Sequence, residues 1–94
     1  MGQAARPRPK RLALKLRQLR KLLALTQEQL ATALNHIESA PQPGHISEFE
    51  QGRREPSLLF LLAITRLTGV SMELLVDDDL DLPEKLPARR VNKR

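Results

Sequence analysis

Leucine residues recur at helical spacing near the start of the chain. Leu12, Leu16, Leu19 and Leu23 lie four, three and four residues apart, which places them on one face of an α-helix. Many of the positions between them are basic. The pattern predicts a first helix over residues 10–23, with one apolar face turned toward a core.

Capping residues and helix breakers divide the chain after this helix. Thr26 and Gln29 have the spacing of a capping box, in which side chains and backbone satisfy each other at the start of a helix. Four further helices are expected over residues 27–34, over residues 44–51, between Ser57 and Gly69, and over residues 72–76. No alternating β-branched pattern occurs, so the sequence predicts an all-α fold of five helices.

The fourth predicted helix has more apolar residues than one core face needs. We expect one set to face the core: Leu58, Leu61, Leu62 and Thr65. A second set forms a separate stripe: Leu59, Phe60, Ala63 and Leu67. Because a small monomer rarely exposes such a patch, either the first helix or a tail covers the second stripe, or the stripe is the seam of a homodimer. We favour the dimer seam.

The length of 94 residues suits one domain with short tails. Residues 1–9 contain prolines and arginines without an apolar period, so we expect a flexible basic arm. Residues 10–79 are expected to form the domain. Residues 80–94 combine prolines with many charges, which predicts a flexible charged tail.

The net charge of +5 is unevenly distributed along the chain. Residues 6–21 contain eight basic residues and no acidic residue, whereas residues 73–84 contain six acidic residues and no basic residue. A basic surface beside an acidic one indicates a polyanionic partner on one side, although solvated faces have the same composition.

The composition argues against several classes of protein. There is no cysteine, and the two histidines are too few to indicate a metal site. No apolar run approaches the roughly 18 residues of a membrane span, and no convincing signal peptide is present. We therefore expect a cytoplasmic protein without membrane contact, cofactor or metal. We do not expect an enzyme, because no nucleophile–base set or glycine-rich phosphate loop is present.

The second and third predicted helices form a candidate helix-turn-helix unit. Ala31 is the small residue that lets the two helices cross closely, and Leu30 and Leu34 can pack against Ile46. The third helix keeps a polar outer face of the kind that enters a DNA major groove. That face contains His45, Ser47, Glu48 and Gln51.

A family resemblance is carried by five segments in order: LRQLR at residues 16–20, LTQEQLA at residues 25–31, ISEFEQGRREPS at residues 46–57, TGVS at residues 68–71 and LL at residues 74–75. Together they resemble the phage repressor/Cro-like (XRE-type) helix-turn-helix domains over about residues 12–76. The resemblance implies a regulator that binds double-stranded DNA, most often as a repressor.

The resemblance also implies contacts with the DNA backbone. Gln27, at the start of the second helix, would hydrogen-bond a phosphate. Gly52 opens the loop after the third helix, where backbone amides and the side chains of Arg53 and Arg54 would bind phosphates.

A structural role is implied for another pair of residues. Arg20 and Glu50 match an ion pair that clamps the first helix to the third. We interpret this pair as holding the fold rather than touching bases.

The base-reading positions depart from the family pattern. The family reads bases with the first two residues of the third helix and one residue a turn later, which here are Pro43, Gly44 and Glu48. Proline and glycine have no side-chain donor. Glu48 either accepts a hydrogen bond from a cytosine amino group or pairs with an arginine of the following loop. The other candidates are Gln42, His45, Ser47 and Gln51, and a role for His45 at the helix start without DNA contact is equally open.

The connection between the second and third helices is longer than the family's usual one. The extra segment lies near residues 38–44 and is rich in proline. It is either a longer surface loop, which costs little in stability, or a segment that contacts DNA or re-aims the third helix. We favour the surface loop.

Two functional hypotheses follow from the sequence. In the first, a homodimer places two reading helices about 34 Å apart on a palindromic operator. The basic stretch at residues 6–11 and the basic end at residues 88–94 then either touch DNA or only aid solubility. In the second, the chain is an antitoxin or another protein-interaction regulator of the same fold. Its partner would bind the acidic segment at residues 77–84 and the tail beyond it.

Overall fold

The computed structural model describes residues 8–87, which contain α-helices and no strand. The helices are α1 (Leu12–Leu22), α2 (Gln27–Ala33), α3 (Pro43–Glu50), α4 (Leu58–Thr68) and α5 (Met72–Val76). The predicted all-α fold with five helices is confirmed. No helix among these residues is both long enough and apolar enough to cross a membrane.

Local sequence signals set the ends of most helices. The capping box at α2 is complete: the Thr26 hydroxyl accepts from the Gln29 N–H at 3.0 Å, and the Gln29 side chain accepts from the Thr26 N–H at 2.9 Å. Ser57 and Ser71 cap α4 and α5 with one hydrogen bond each, accepting from the N–H three residues later. Gly69 ends α4 with a φ of +83°, a conformation that favours glycine.

Three other helices pack against α3. Ile46 and Phe49 of α3 are buried, and α3 packs against both α1 and α2. The Phe49 ring also lies against the Phe60 ring of α4, with centroids 4.8 Å apart and planes tilted by 54°. The orientation of α3 is therefore fixed by packing with three other helices.

The predicted division of α4 into two faces is wrong in part. Phe60 and Ala63, which we assigned to the second stripe, are buried within the domain at 3% and 8% exposure. Leu58 and Leu62, which we assigned to the core, are exposed at 77% and 36%. The inward face of α4 contains Phe60, Leu61, Ala63, Ile64 and Thr68. The apolar run at the start of α4 has no polar positions to mark the outer face. Its periodicity therefore could not show which face of α4 is turned toward the core.

Residues 80–87 pack against the domain and do not extend away as the predicted flexible tail. Leu82 and Leu86 are half-buried against the core. Pro87 lies beside Gly69, where an added Cβ would be 3.6 Å from its ring. Residues 1–7 of the predicted arm and residues 88–94 of the predicted tail lie outside the described residues.

The acidic segment after α5 is tied to α1. The Asp78 carboxylate accepts from the backbone N–H groups of Lys10 and Arg11 at 2.8 and 2.9 Å, and so caps the start of α1. These two N–H groups lower the pKa of Asp78 below its usual value. Arg11 also pairs with Asp81 at 2.6 Å. Part of the segment that we assigned to a protein partner is thus used within the domain.

Lys15 also connects α1 to the end of α5, through the hydrogen bonds of its buried side chain. Its side chain is fully buried, and its Nζ donates to the carbonyl oxygens of Leu74 and Asp77 at 2.7 and 2.8 Å. A cation at these carbonyls favours the C-terminal end of α5. Lys15 and Arg11 therefore belong to the fold and not to a free basic surface.

Candidate nucleic-acid interface

The start of α3 is fixed by its own side chains. Gln42 is the N-cap residue, and Pro43 occupies the first helical position, which proline favours. The Gln42 N–H donates to Nδ1 of His45 at 3.3 Å. His45 therefore contributes to the helix start, and its role in DNA contact stays a prediction.

The predicted ion pair lies beneath the outer face of α3. Arg20 of α1 donates to both carboxylate oxygens of Glu50, at 2.7 and 3.0 Å. Little of either side chain is exposed, 14% for Arg20 and 5% for Glu50. Arg20 also donates to the Leu25 carbonyl at 2.9 Å. The hydrogen bond with Glu50 raises the pKa of Arg20 above its usual value. The pair joins α1 to α3, as the resemblance implied.

Gln27 points to the same carboxylate. Its amide nitrogen donates to Oε1 of Glu50 at 3.1 Å. A side-chain amide nitrogen has two hydrogens, so one remains for another acceptor. The predicted phosphate contact of Gln27 is therefore compatible with this geometry, although it stays a prediction.

Polar side chains on the outer face of α3 pair with one another. Gln51 donates to the Ser47 hydroxyl at 2.8 Å. Arg54 donates through Nε to Oε1 of Glu48 at 2.6 Å, and both side chains are largely exposed. This hydrogen bond lowers the pKa of Glu48. Of the two predicted roles of Glu48, the structure therefore contains the pair with a loop arginine, which is Arg54.

The loop after α3 ends the helix with its own amides. Gly52 has a φ of +76°, and its N–H donates to the Phe49 carbonyl at 3.2 Å. The Arg53 N–H donates to the Glu48 carbonyl at 2.9 Å, which completes a Schellman motif. The N–H groups of Gly52 and Arg53 already donate within the protein, so the predicted phosphate contact of the loop amides does not fit these two groups. For the Arg54 amide it stays a prediction. The side chains of Arg53 and Arg54 are exposed.

The long connection between α2 and α3 is anchored. Ile37 packs against the core, and Pro41 is buried. Gly44, within the predicted insertion, belongs to α3 and is exposed, and an added Cβ would meet nothing within 4 Å. Whether this connection contacts DNA stays a prediction.

Comparison with known protein families decides the identity of the domain. The Helix-turn-helix family matches residues 16–75, which extend from α1 to α5. The chain belongs to the XRE-type helix-turn-helix family. No curated protein and no solved structure matched the chain.

The predicted resemblance is therefore confirmed, and α2 and α3 lie at the positions predicted for the two helices of the helix-turn-helix unit. The general function of the domain is DNA binding in the regulation of transcription. The ion pair, Gln27 and the outer face of α3 all lie within the matched residues.

One exposed residue beside this interface, Arg17, was not among the predicted DNA-binding residues. Arg17 is exposed and lines a cleft together with Gln27 and with Ser47 of α3. The spacing of Arg17 and Arg20 could have indicated it, because residues three apart share a face of a helix.

Proposed function

We propose that the chain is a sequence-specific repressor of transcription that binds a palindromic operator as a homodimer. The observation that supports this most is the rigid placement of α3. Its inner side chains Ile46 and Phe49 are buried, and the Arg20–Glu50 pair fixes it to α1, while its polar outer face stays accessible. A helix held in this manner can enter a major groove in one orientation.

Base reading depends on two positions of α3 in this proposal. Arg54 bonds to Oε1 of Glu48, which leaves Oε2 to accept from a cytosine N4 amino group. Gly44 offers no side chain, so the start of α3 can approach the groove edge closely. Arg53 and Arg54 add phosphate contacts that make binding dependent on salt.

The homodimer would form through an apolar groove between α4 and the connection that precedes α3. The groove has a volume of about 470 Å³, and its lining includes Ile37, Leu59 and Leu62. Glu38 and Arg66 also line it, and neither forms an ion pair within residues 8–87. A two-fold axis through the groove would bring Glu38 of each copy to Arg66 of the other, which is why a second copy is the occupant we propose.

Selection of bound sequences from random double-stranded DNA tests the proposed function. We expect the full chain to select a palindrome. Glu48→Ala should relax the preference at one position of each half-site, whereas Gln27→Ala should weaken binding to all sequences about equally. An unchanged motif for Glu48→Ala would contradict the base-reading assignment, and the absence of any enriched sequence would contradict the proposed function.

A further inference from the structure

A polar cleft of about 230 Å³ lies where α1, α2 and α3 meet. Its lining contains Arg17, Arg20, Gln27, Ser47, Glu50 and Gln51. Two guanidinium groups and one carboxylate leave the cleft with one net positive charge. Because Arg20 and Glu50 neutralise each other at 2.7 Å, the uncompensated charge is that of Arg17.

Hydrogen-bond donors remain available in this cleft. Arg17 has no hydrogen-bond or ion-pair partner within residues 8–87. Gln27 and Gln51 each use one hydrogen of their amide nitrogen, toward Glu50 and Ser47 respectively, and keep the second. The cleft therefore offers a free cation and further N–H donors to an anion.

The Glu50 carboxylate does not compete with an incoming anion for these donors. Both of its oxygens already accept from Arg20, and one also accepts from Gln27. By bonding to Gln27, Glu50 instead holds this amide at the edge of the cleft. The buried pair thus positions the donors as well as joining α1 to α3.

Arg17 differs from its basic neighbours on α1. Lys15 and Arg20 donate within the domain. Lys21 lies one turn beyond Arg17 but lines a different cleft, together with Leu82 of the C-terminal segment. Of the two α1 cations that line the cleft beside both motif helices, Arg20 is paired with Glu50, and Arg17 has no hydrogen-bond or ion-pair partner within residues 8–87.

We infer that Arg17 binds a phosphodiester of the DNA backbone at this cleft, beside the contact already predicted for Gln27. The inference rests on the proposed function. In a helix-turn-helix complex the first motif helix crosses the backbone while the second lies in the groove, so a cleft between them faces a phosphate. Such a contact fixes the register of α3 but carries no sequence information.

Equilibrium binding of the full chain to its selected duplex, measured at several salt concentrations, tests the inference. Each phosphate contact removed should reduce the slope of log K against log salt by about 0.9, and therefore by about 1.8 for the proposed homodimer, which loses one contact in each half-site. Arg17→Gln should therefore flatten the slope and weaken binding to the selected duplex and to a duplex with one mismatched base pair by the same factor. Arg17→Lys should keep the slope, because it keeps the charge.

Lys21→Gln is the matched control, because it removes the same charge from the same helix outside the cleft. Its slope should equal that of the unchanged chain. The inference is overturned if Arg17→Gln leaves the slope unchanged, or if it alters the ratio of affinities for the two duplexes, which would indicate a base contact. If the unchanged chain binds no duplex, the proposed function fails as well, and a far-UV circular dichroism melt shows whether each variant is folded.

Discussion

Replacing Glu50 with glutamine tests whether the contact between α1 and α3 depends on charge. The substitution keeps the shape of the side chain but removes the negative charge opposite Arg20. With only 5% and 14% of the two side chains exposed, water cannot fully compensate for the lost partner. Removing one member of a buried pair costs about 3–5 kcal/mol. We expect about 3 kcal/mol, the lower end, because Arg20 keeps its bond to the Leu25 carbonyl.

Chemical denaturation by urea measures this change in the free energy of unfolding. The chain contains no tryptophan and no tyrosine, so the helical signal in far-UV circular dichroism is the suitable probe. In thermal unfolding the same loss corresponds to a fall in Tm of roughly 12 °C or more for a domain of this size.

Glu48→Gln is the matched control for this experiment. It is the same substitution on the same helix, but the Glu48–Arg54 pair is 42% and 52% exposed, so we expect little change in stability. If Glu50→Gln shifts the unfolding midpoint no further than Glu48→Gln does, the charge of Glu50 does not stabilise the contact between α1 and α3.

Three further predictions concern other parts of the domain. Gly44→Ala should stabilise the fold by up to about 0.5 kcal/mol in urea unfolding, since a Cβ there meets no atom within 4 Å and alanine favours a helix; a loss of stability would contradict this. Because the pKa of Asp78 is lowered in the folded state, its contribution to stability is present above the ordinary aspartate value of about 3.9 and is lost as the pH falls through the lowered value. Stability should therefore fall less steeply between about pH 5 and pH 2 in Asp78→Asn than in the unchanged chain, and equal slopes would show that the carboxylate does not act as a cap. Leu62→Glu should convert the proposed dimer to a monomer in sedimentation analysis, whereas Leu14→Glu, at a 55% exposed position of α1 outside the groove, should not; a dimer that survives Leu62→Glu would place the interface elsewhere.

Local sequence signals predicted the helices because they act over a few residues. The capping box of Thr26 and Gln29 is an interaction three residues long, and the structure contains both of its hydrogen bonds. The serine at the start of α5 is equally local. Such signals do not depend on how the rest of the chain folds, so a single sequence is enough to read them.

Contacts between distant residues could not be read in this manner. Asp78 caps α1 across 68 residues of sequence, and no periodicity connects the two segments. Lys15 looked like part of a basic surface because its buried acceptors are backbone carbonyls, which leave no trace in the sequence. The Arg20–Glu50 pair is also distant, and only the family resemblance indicated it.

Chemical-shift mapping tests most directly the claim that the outer face of α3 binds DNA. The ¹⁵N-labelled full chain would be titrated with the duplex that it selects from random sequences. We expect the backbone amide signals of Gln27, Ser47 and Gln51 to move, while those of α5 stay in place. Shifts concentrated in α5 and the segment after it, with α3 unaffected, would show that α3 does not bind the DNA.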